Sequence, residues 1–129
     1  MTTVAAALIE RDGNILICRR RSDQTHGGKW EFPGGKVESG ETPAEAARRE
    51  LREELEIEAT IGAEIRRYEY CYPGKAVILL VFFQVTEFEG EPDPDLFAEI
   101  RWEDPRDMPR FDFLDGDVDF VRELAAAAV

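Results

Sequence analysis

The sequence contains few residues of several types, and each shortage excludes a class of protein. Its 129 residues include two cysteines and one histidine, His26. Cys18 and Cys71 lack the CxxC spacing, which argues against a disulfide scaffold and against a zinc site. Each lies in an apolar run typical of a strand, so we expect two reduced thiols in the core. A single histidine also excludes a metal site built from several histidines.

Basic residues are scarce as well. Lys and Arg number 16 against 28 Asp and Glu, which gives a formal net charge of −12. The segment 87–123 holds 14 acidic and 4 basic residues and therefore carries −10 of that charge. Proteins that bind duplex nucleic acid or anionic membranes present basic surfaces. The composition thus excludes both partners, and a phosphate ligand would need neutralisation from something other than protein charge.

Long hydrophobic runs are missing too. No segment approaches the roughly 20 consecutive apolar residues that span a bilayer. The first ten residues have no basic start, and their apolar run is too short for a signal peptide. We therefore expect a soluble, cytoplasmic protein. The length and the 43% hydrophobic content suit one domain with its own core, over residues 1–129.

Apolar runs and turn residues predict the order of the structural elements. We expect strands at 4–9, 15–18, 30–32, 61–72, 76–88 and 100–102, and helices at 43–55 and 118–127. Thr42, Pro43 and Glu45 have the spacing of a capping box that begins the first helix. This order predicts an α/β fold in which a mixed sheet lies between helices.

Three carboxylates share one face of the first predicted helix. Glu50, Glu53 and Glu54 stand at positions i, i+3 and i+4. Such a cluster is either a solvated charged surface or a site that cations occupy. The turn at Gly34 and Gly35 could add a backbone carbonyl, and oxygen ligands of this kind suit Mg²⁺ or Mn²⁺.

Residues 35–57 resemble the Nudix box, G-x5-E-x7-R-E-U-x-E-E-x-G-U, where U is a bulky aliphatic residue. The matching residues are Gly35, Glu41, Arg49, Glu50, Leu51, Glu53, Glu54 and Ile57. Glu56 stands where the family has a glycine in the left-handed conformation, which we expect to cost about 1 kcal/mol or to change the turn. The similarity to MutT-type and CTP-type nucleoside triphosphate pyrophosphohydrolases extends over roughly residues 4 to 124.

This resemblance implies a Nudix-type α/β/α sandwich and the attack of water on an internal phosphorus, with a nucleoside monophosphate and pyrophosphate as products. The catalytic residues it implies are Glu41, Arg49, Glu50, Glu53 and Glu54. The last three would bind the divalent ions, assisted by the Gly34 carbonyl. Glu41 and Arg49 would orient these carboxylates, although a surface ion pair would explain them equally well. Either Glu53 or Glu54 would act as the base, and we prefer Glu53.

The substrate-binding residues that we expect are Arg20, Phe32, Lys36, Tyr72 and Asp117. Arg20 matches an arginine that contacts phosphate in the MutT type, but a solvated loop arginine is equally consistent with the sequence. Phe32, Tyr72 and also Phe111 are candidates for stacking on the base, although such aromatic residues more often belong to a core.

Asp117 precedes the last helix, where the resemblance places a residue that selects the base. An ionised Asp117 only accepts hydrogen bonds, whereas a raised pKa would let it donate as well. Its alternative role, shared with Asp115, is that of helix N-cap.

Leu96 departs from the family, because it stands where related enzymes have an acidic residue, six positions before Trp102. Asp95 or Glu99 could take over that role, or it could be absent, which leaves the catalytic base open.

Our main hypothesis is Mg²⁺-dependent hydrolysis of nucleoside triphosphates, including 8-oxo-dGTP, (d)CTP or 5-methyl-dCTP, in nucleotide-pool sanitation. One alternative is a pyrophosphatase for ADP-ribose or another nucleoside-diphosphate-linked substrate. Another is a nucleotide-binding module of the same fold with weak catalysis. For the oligomeric state, the sequence leaves both a monomer and a homodimer open.

Overall fold

The computed structural model describes residues 1–128. Its strands are β1 (Thr2–Arg11), β2 (Asn14–Arg19), β3 (Trp30–Glu31), β4 (Gly34–Lys36), β5 (Glu58–Thr60), β6 (Glu64–Tyr70), β7 (Ile78–Val85), β8 (Glu87–Glu89) and β9 (Glu99–Glu103). The helices are α1 (Pro43–Leu55) and α2 (Val118–Ala127), with two short 3₁₀ helices, η1 (Pro105–Arg110) and η2 (Asp115–Asp117). Both predicted α-helices are present with the expected bounds.

The main sheet is mixed, as expected. Its central path runs β3-β2-β1-β7-β6, while β4 also pairs with β1 and β9 with β2. β1 and β7 run parallel over eight residue pairs, from Thr2 opposite Ile78 to Ile9 opposite Val85. The other strand pairs are antiparallel, and β5 with β8 forms a separate two-stranded ribbon.

Helices cover the main sheet on both faces, which the alternation along β1 explains. Ala6 and Leu8 belong to the apolar cluster that includes Phe120 of α2. On the opposite face, Ala7 packs in a cluster with Leu51 of α1, and Ala5 in a cluster with Ala46 and Ala47 of the same helix. Successive side chains of a strand point to opposite faces, so one apolar strand contributes to two cores. The result confirms the expected α/β/α layering.

The ends of α1 explain how its carboxylate face is oriented. Thr42 Oγ1 accepts a hydrogen bond from the Glu45 N–H at 3.1 Å, and the Glu45 carboxylate accepts one from the Thr42 N–H at 2.8 Å. The predicted capping box is therefore confirmed. Glu56 ends the helix in the left-handed conformation, with φ of 56°, and its N–H bonds to the Arg52 carbonyl. The turn keeps its shape without glycine, at a cost of about 1 kcal/mol.

Three predicted features of the strands are wrong. The strand expected over 61–72 is shorter, because β6 covers only 64–70, with a register shift against β7 between Glu64 and Arg66, and β5 lies before the predicted segment. The strand expected over 76–88 divides into β7 and β8. Residues 34–36 form β4 rather than a terminating turn. A Cβ on Gly34 would lie 2.1 Å from the Ala5 carbonyl oxygen, so glycine permits this close pairing with β1.

The two cysteines differ in their environment. Cys18 is buried, as expected, whereas Cys71 is exposed just beyond the end of β6, so its assignment to the core is wrong. No helix of residues 1–128 is both long and apolar enough to cross a membrane.

Candidate functional site

Arg49 connects the acidic residues on the outer face of α1. It donates to Glu41 through Nε at 2.7 Å and Nη2 at 3.0 Å. Its Nη1 donates to Glu50 at 2.9 Å and to Glu53 at 3.2 Å. The hydrogen bonds from Arg49 hold the pKa of Glu41 below its usual value. One guanidinium thus orients three carboxylates, an arrangement that supports the role expected for Glu41 and Arg49.

Glu50 lies directly on the backbone of β4. A Cβ on Gly35 would lie only 2.4 Å from the Glu50 Cδ and 2.6 Å and 2.7 Å from its two oxygens. A glycine at position 35 therefore makes room for this carboxylate between the helix and the strand.

Glu54 is the most enclosed of the three helix carboxylates. Its Oε1 accepts a hydrogen bond from the Gly34 N–H at 3.1 Å. Burial raises the pKa of Glu54 to about 8, and the negative charges of Glu31 and Glu50 act in the same direction. No ion pair among residues 1–128 includes Glu54, and only the Gly34 N–H and the more distant Arg20 charge oppose this rise in its pKa.

The chemistry of this donor set suits a divalent cation. Glu50 and Glu54 both face the backbone of β4, and Glu53 is the exposed member, with 58% of its side chain accessible. Within residues 1–128 the acidic side chains do not converge on a preformed ion site, and Arg49 binds oxygens of Glu50 and Glu53. Hard oxygen donors and a buried carboxylate without a cationic partner nevertheless fit an ion such as Mg²⁺.

A cleft of about 280 Å³ opens beside the carboxylates. It contains all five predicted substrate-binding residues together with Gly34, namely Arg20, Phe32, Gly34, Lys36, Tyr72 and Asp117. Gly34 connects the cleft with the carboxylates of α1, because it lines the cleft and its N–H donates to Glu54. The structure thus places the predicted substrate pocket and the helix carboxylates side by side.

Arg20 is held in a defined position. Its Nη1 donates to both oxygens of Glu31, at 3.2 Å and 3.3 Å, and its Nε donates to the Thr25 carbonyl at 2.7 Å. The alternative of a solvated loop arginine is therefore wrong. Glu31 was not predicted as a site residue, since a single acidic residue in a short strand has no sequence signal that marks it. His26, which also lines the cleft, was missed for the same reason.

Asp117 is a buried carboxylate in the wall of the cleft. Only 7% of it is exposed. Burial raises its pKa to about 8, the charge of Glu31 adds to this, and the backbone N–H of Phe32 acts in the opposite direction. Asp117 stands at the N-cap position of α2, as the alternative had it, but its side chain makes no capping hydrogen bond.

The aromatic candidates differ in where they lie. Phe32 contributes to the cleft wall but is only 3% exposed and packs in the core. Tyr72 lines the cleft, with its ring 5.1 Å from that of His26. Phe111 packs edge-on against Trp30 and lines a separate cavity of about 60 Å³. The hypothesis that Phe111 stacks on the base is therefore wrong.

The loop that contains Leu96 offers no obvious substitute base. Leu96 is 54% exposed. Glu99 lies 3.5 Å from Arg101, and the Asp95 carbonyl accepts a hydrogen bond from Arg21 at 2.9 Å. Neither Asp95 nor Glu99 lines the cleft among residues 1–128, so its lining does not favour either of them over Glu53 and Glu54 as the base.

A larger depression elsewhere contains none of the predicted site residues. It has a volume of about 700 Å³ and lies between α1 and the β5–β8 ribbon. Its residues Arg48 and Glu58 pair with each other at 3.5 Å. Volume alone therefore does not identify the site, whereas the convergence of the predicted residues does.

Comparison with known proteins agrees with this geometry. Residues 1–124 match the NUDIX domain. CTP pyrophosphohydrolase of Escherichia coli K12 is 36% identical over 126 residues, which cover 98% of this chain and 93% of that protein. The 8-oxo-dGTP diphosphatase of the same strain is 41% identical over 90 residues, 69% of each chain.

Solved structures have the same fold. The E. coli ORF135 protein superposes with a TM-score of 0.86 at 36% identity, covering 98% of this chain and 89% of that one. The MutT Nudix hydrolase of Burkholderia pseudomallei gives a TM-score of 0.82 at 26% identity, with 95% and 96% of the two chains covered. With a domain match over residues 1–124 and a relative that is 36% identical over 98% of its length, the chain belongs to the Nudix hydrolase family.

Proposed function

We propose that the protein hydrolyses nucleoside triphosphates to nucleoside monophosphates and pyrophosphate, with Mg²⁺ or Mn²⁺ as the metal. One observation carries the proposal: a single cleft joins the buried Asp117 to the carboxylate face of α1 through Gly34. Relatives over most of the chain are a CTP pyrophosphohydrolase and an 8-oxo-dGTP diphosphatase, which supports a nucleoside triphosphate as substrate.

The acidic character of the site requires a cation. A divalent ion bound here would neutralise the triphosphate, polarise the phosphorus and lower the pKa of water. Glu50, Glu53 and Glu54 would hold it, with the Gly34 carbonyl as a further oxygen ligand. Glu41 acts through Arg49, whose guanidinium keeps Glu50 and Glu53 in place.

The chain's own residues provide positioning and proton transfer. Arg20 binds a phosphate with Nη2, since Nη1 and Nε are engaged by Glu31 and Thr25. Lys36, exposed at the edge of the cleft, adds positive charge for the phosphates. Glu53 accepts the proton of the attacking water, because it is the exposed carboxylate of the three.

Asp117 selects the base through its protonation state. With a pKa of about 8, its carboxyl is mostly neutral at pH 7 and both donates and accepts a hydrogen bond. This pattern complements N3 and the amino group of cytosine, and equally O6 and N1–H of guanine. The ionised form offers acceptors only, which favours the two N–H groups on the guanine edge, present also in 8-oxoguanine.

The remaining parts of the proposal concern the protein as a whole. Residues 1–129 act as a single domain in nucleotide-pool sanitation and DNA repair, as a monomer or homodimer in the cytoplasm. Binding to duplex nucleic acid or to a membrane is not expected, given the net charge of −12.

A release assay tests the proposal. Pyrophosphate and phosphate are measured for (d)NTPs, 8-oxo-dGTP, 5-methyl-dCTP, ADP-ribose and dinucleoside polyphosphates, each with Mg²⁺, with Mn²⁺ and with EDTA. We expect metal-dependent pyrophosphate release from one or more nucleoside triphosphates. Turnover of ADP-ribose alone would favour the nucleoside-diphosphate-linked alternative. Nucleotide binding without turnover of any substrate would contradict the enzymatic function and favour the binding-module alternative.

A further inference from the structure

Two tyrosines hold the backbone immediately before Asp117. The Tyr68 hydroxyl donates a hydrogen bond to the Gly116 carbonyl. The Gly116 N–H donates to the Tyr72 hydroxyl at 3.0 Å. Tyr68 lies on β6 and Tyr72 two residues beyond its end, so both backbone groups of Gly116 are bound by a distant part of the chain. We call Tyr68, Tyr72 and Gly116 the tyrosine clamp.

The space around Gly116 is closed. A Cβ at this position would lie 2.9 Å from the Tyr72 hydroxyl and 3.4 Å from both Leu80 and Tyr70. The φ angle of Gly116 is not in the left-handed region, so the requirement for glycine comes from the close approach of the phenol rather than from backbone conformation.

The two rings are themselves fixed by packing. Tyr68 stacks on Phe82, with ring centroids 5.8 Å apart. Tyr72 meets the ring of Tyr70 edge-on at 4.8 Å and the ring of His26 at 5.1 Å. Aromatic rings held by such contacts present their hydroxyl groups at defined positions, and buried phenols of this kind usually find a hydrogen-bond partner.

The Phe32 N–H contacts the Asp117 carboxyl, but the position of that carboxyl also depends on the Gly116 backbone, which carries the residue into the cleft. Asp117 lies in the cleft at the end of η2, and the turn has a further backbone bond from the Asp117 N–H to the Leu114 carbonyl at 2.9 Å. Loss of the tyrosine hydroxyls would let the turn shift, and the carboxyl would move relative to the base. A buried polar contact tolerates little displacement, since hydrogen bonds weaken steeply with geometry.

We propose that Tyr68 and Tyr72 are positioning residues for base selection, which they determine by holding Gly116 and, through it, Asp117. The proposal rests on the proposed function, in which Asp117 reads the base. Within residues 1–128 both hydroxyls bind Gly116, and neither binds an α1 carboxylate. The tyrosine clamp therefore acts on discrimination between bases and not on the chemical step.

The variants Tyr68→Phe, Tyr72→Phe and their combination remove the hydroxyls and keep the rings. Tyr70→Phe is the matched control, because Tyr70 lies between the two and its hydroxyl makes no hydrogen bond within residues 1–128. For each protein kcat and KM are measured for dCTP and for 8-oxo-dGTP, with the melting temperature as a check on folding. We expect the ratio of the two kcat/KM values to change about five- to tenfold in the double variant, mainly through KM, as losing one or two hydrogen bonds would produce. The control should retain the wild-type ratio.

A second substitution tests the contact itself. Gly116→Ala should alter the same ratio, because the new methyl group would push against the Tyr72 hydroxyl. In the Tyr72→Phe background the methyl group has more room, so Gly116→Ala should have a smaller additional effect there. If the two substitutions change the ratio independently, so that their effects multiply in the double variant, the proposed role of the tyrosine clamp is refuted.

Binding of dCMP and 8-oxo-dGMP in EDTA, measured by calorimetry, separates this proposal from the proposed function. If the wild type discriminates between the monophosphates but hydrolyses no triphosphate, the proposed function fails and the clamp is still tested by binding. If the double variant retains the wild-type discrimination, or loses every nucleotide equally, the clamp is refuted whatever the activity. A wild type that does not discriminate refutes it too.

Discussion

The site contains two groups of carboxylates that have opposite environments. The outer group, Glu41, Glu50 and Glu53, surrounds the Arg49 guanidinium, and these hydrogen bonds lower the pKa of Glu41. The inner group, Glu31, Glu54 and Asp117, lies below the surface beside the cleft, and burial raises the pKa of all three. The same functional group is thus paired with a guanidinium in one region and desolvated by burial in the other.

This difference teaches how a protein with a net charge of −12 can bind a polyphosphate. In the outer group the Arg49 guanidinium orients all three carboxylates and holds the pKa of Glu41 below its usual value. Burial, and after it the charge of Glu31, raises the pKa of Glu54 and of Asp117, and the raised pKa allows Asp117 to donate a hydrogen bond. Arg20 is the one cation paired directly with the inner group among residues 1–128.

The largest effect is expected at the exposed member of the outer group. Glu53→Gln removes the negative charge but keeps the shape, so we expect kcat to fall at least about 10²-fold. Steady-state pyrophosphate release measures it, with Glu69→Gln, an exposed carboxylate outside the site, as the control. A rate close to that of the wild type would show that Glu53 neither binds the metal nor acts as the base.

Arg49→Lys tests whether the outer group depends on geometry as well as on charge. A lysine supplies one positive point and cannot bridge Glu41, Glu50 and Glu53 at once. We expect about a tenfold fall in kcat/KM and a higher Mg²⁺ concentration for half-maximal activity. A Mg²⁺ titration of the rate measures both.

Arg67→Lys serves as the control for Arg49→Lys, because Arg67 forms a similar bidentate pair with Glu64 on β6, away from the cleft. Equal effects of the two substitutions would mean that Arg49 is only a surface ion pair.

Asp117→Asn tests the inner group through base preference. The wild-type carboxyl changes from donor and acceptor to acceptor only as the pH rises through about 8, whereas asparagine does not titrate. We expect the preference of the wild type for 8-oxo-dGTP over dCTP to rise by about three- to tenfold between pH 6.5 and 9. In the variant the ratio of kcat/KM for 8-oxo-dGTP to that for dCTP should stay constant with pH. Measuring kcat/KM for both substrates across this range tests the prediction. A wild-type ratio independent of pH would contradict the role of Asp117 in base selection.

The smallest effect concerns stability in EDTA. Between about pH 4 and 8 the folded protein retains a proton on Asp117 that the unfolded chain has released, so the free energy of unfolding falls as the pH rises through this range. Glu54 contributes with the same sign. Each group contributes at most about 1.4 kcal/mol per pH unit. Urea unfolding at pH 5.5, 7 and 8.5 should show a decline that Asp117→Asn makes shallower. An unchanged slope would place the pKa of Asp117 near its ordinary value.

Local patterns predicted much of the fold and one half of the site. The capping box at Thr42, the bounds of α1 and the shared face of Glu50, Glu53 and Glu54 depend on contacts within about four residues, which helical periodicity encodes. Non-local pairing was harder to foresee. β4 forms because Gly34 and Gly35 meet Ala6 and Ala5 of β1, and no local signal distinguishes such a strand from a turn.

The predictions for the cleft show the same division. Arg20, Tyr72 and Asp117 were found through resemblance, and they do line one cavity. Glu31 was missed, and Phe111 was placed wrongly, because burial and partners depend on segments far apart in sequence.

By itself, the sequence determined which carboxylates stand together on α1, since the 3.6-residue period of a helix follows from the spacing alone. Only the tertiary structure decided which carboxyl groups hold a proton. Asp117 and Asp115 are two residues apart and chemically identical, yet Asp117 is the one that packing encloses beside Glu31 and Phe32. Desolvation depends on everything that surrounds a group in space, and the linear order of residues does not contain that information.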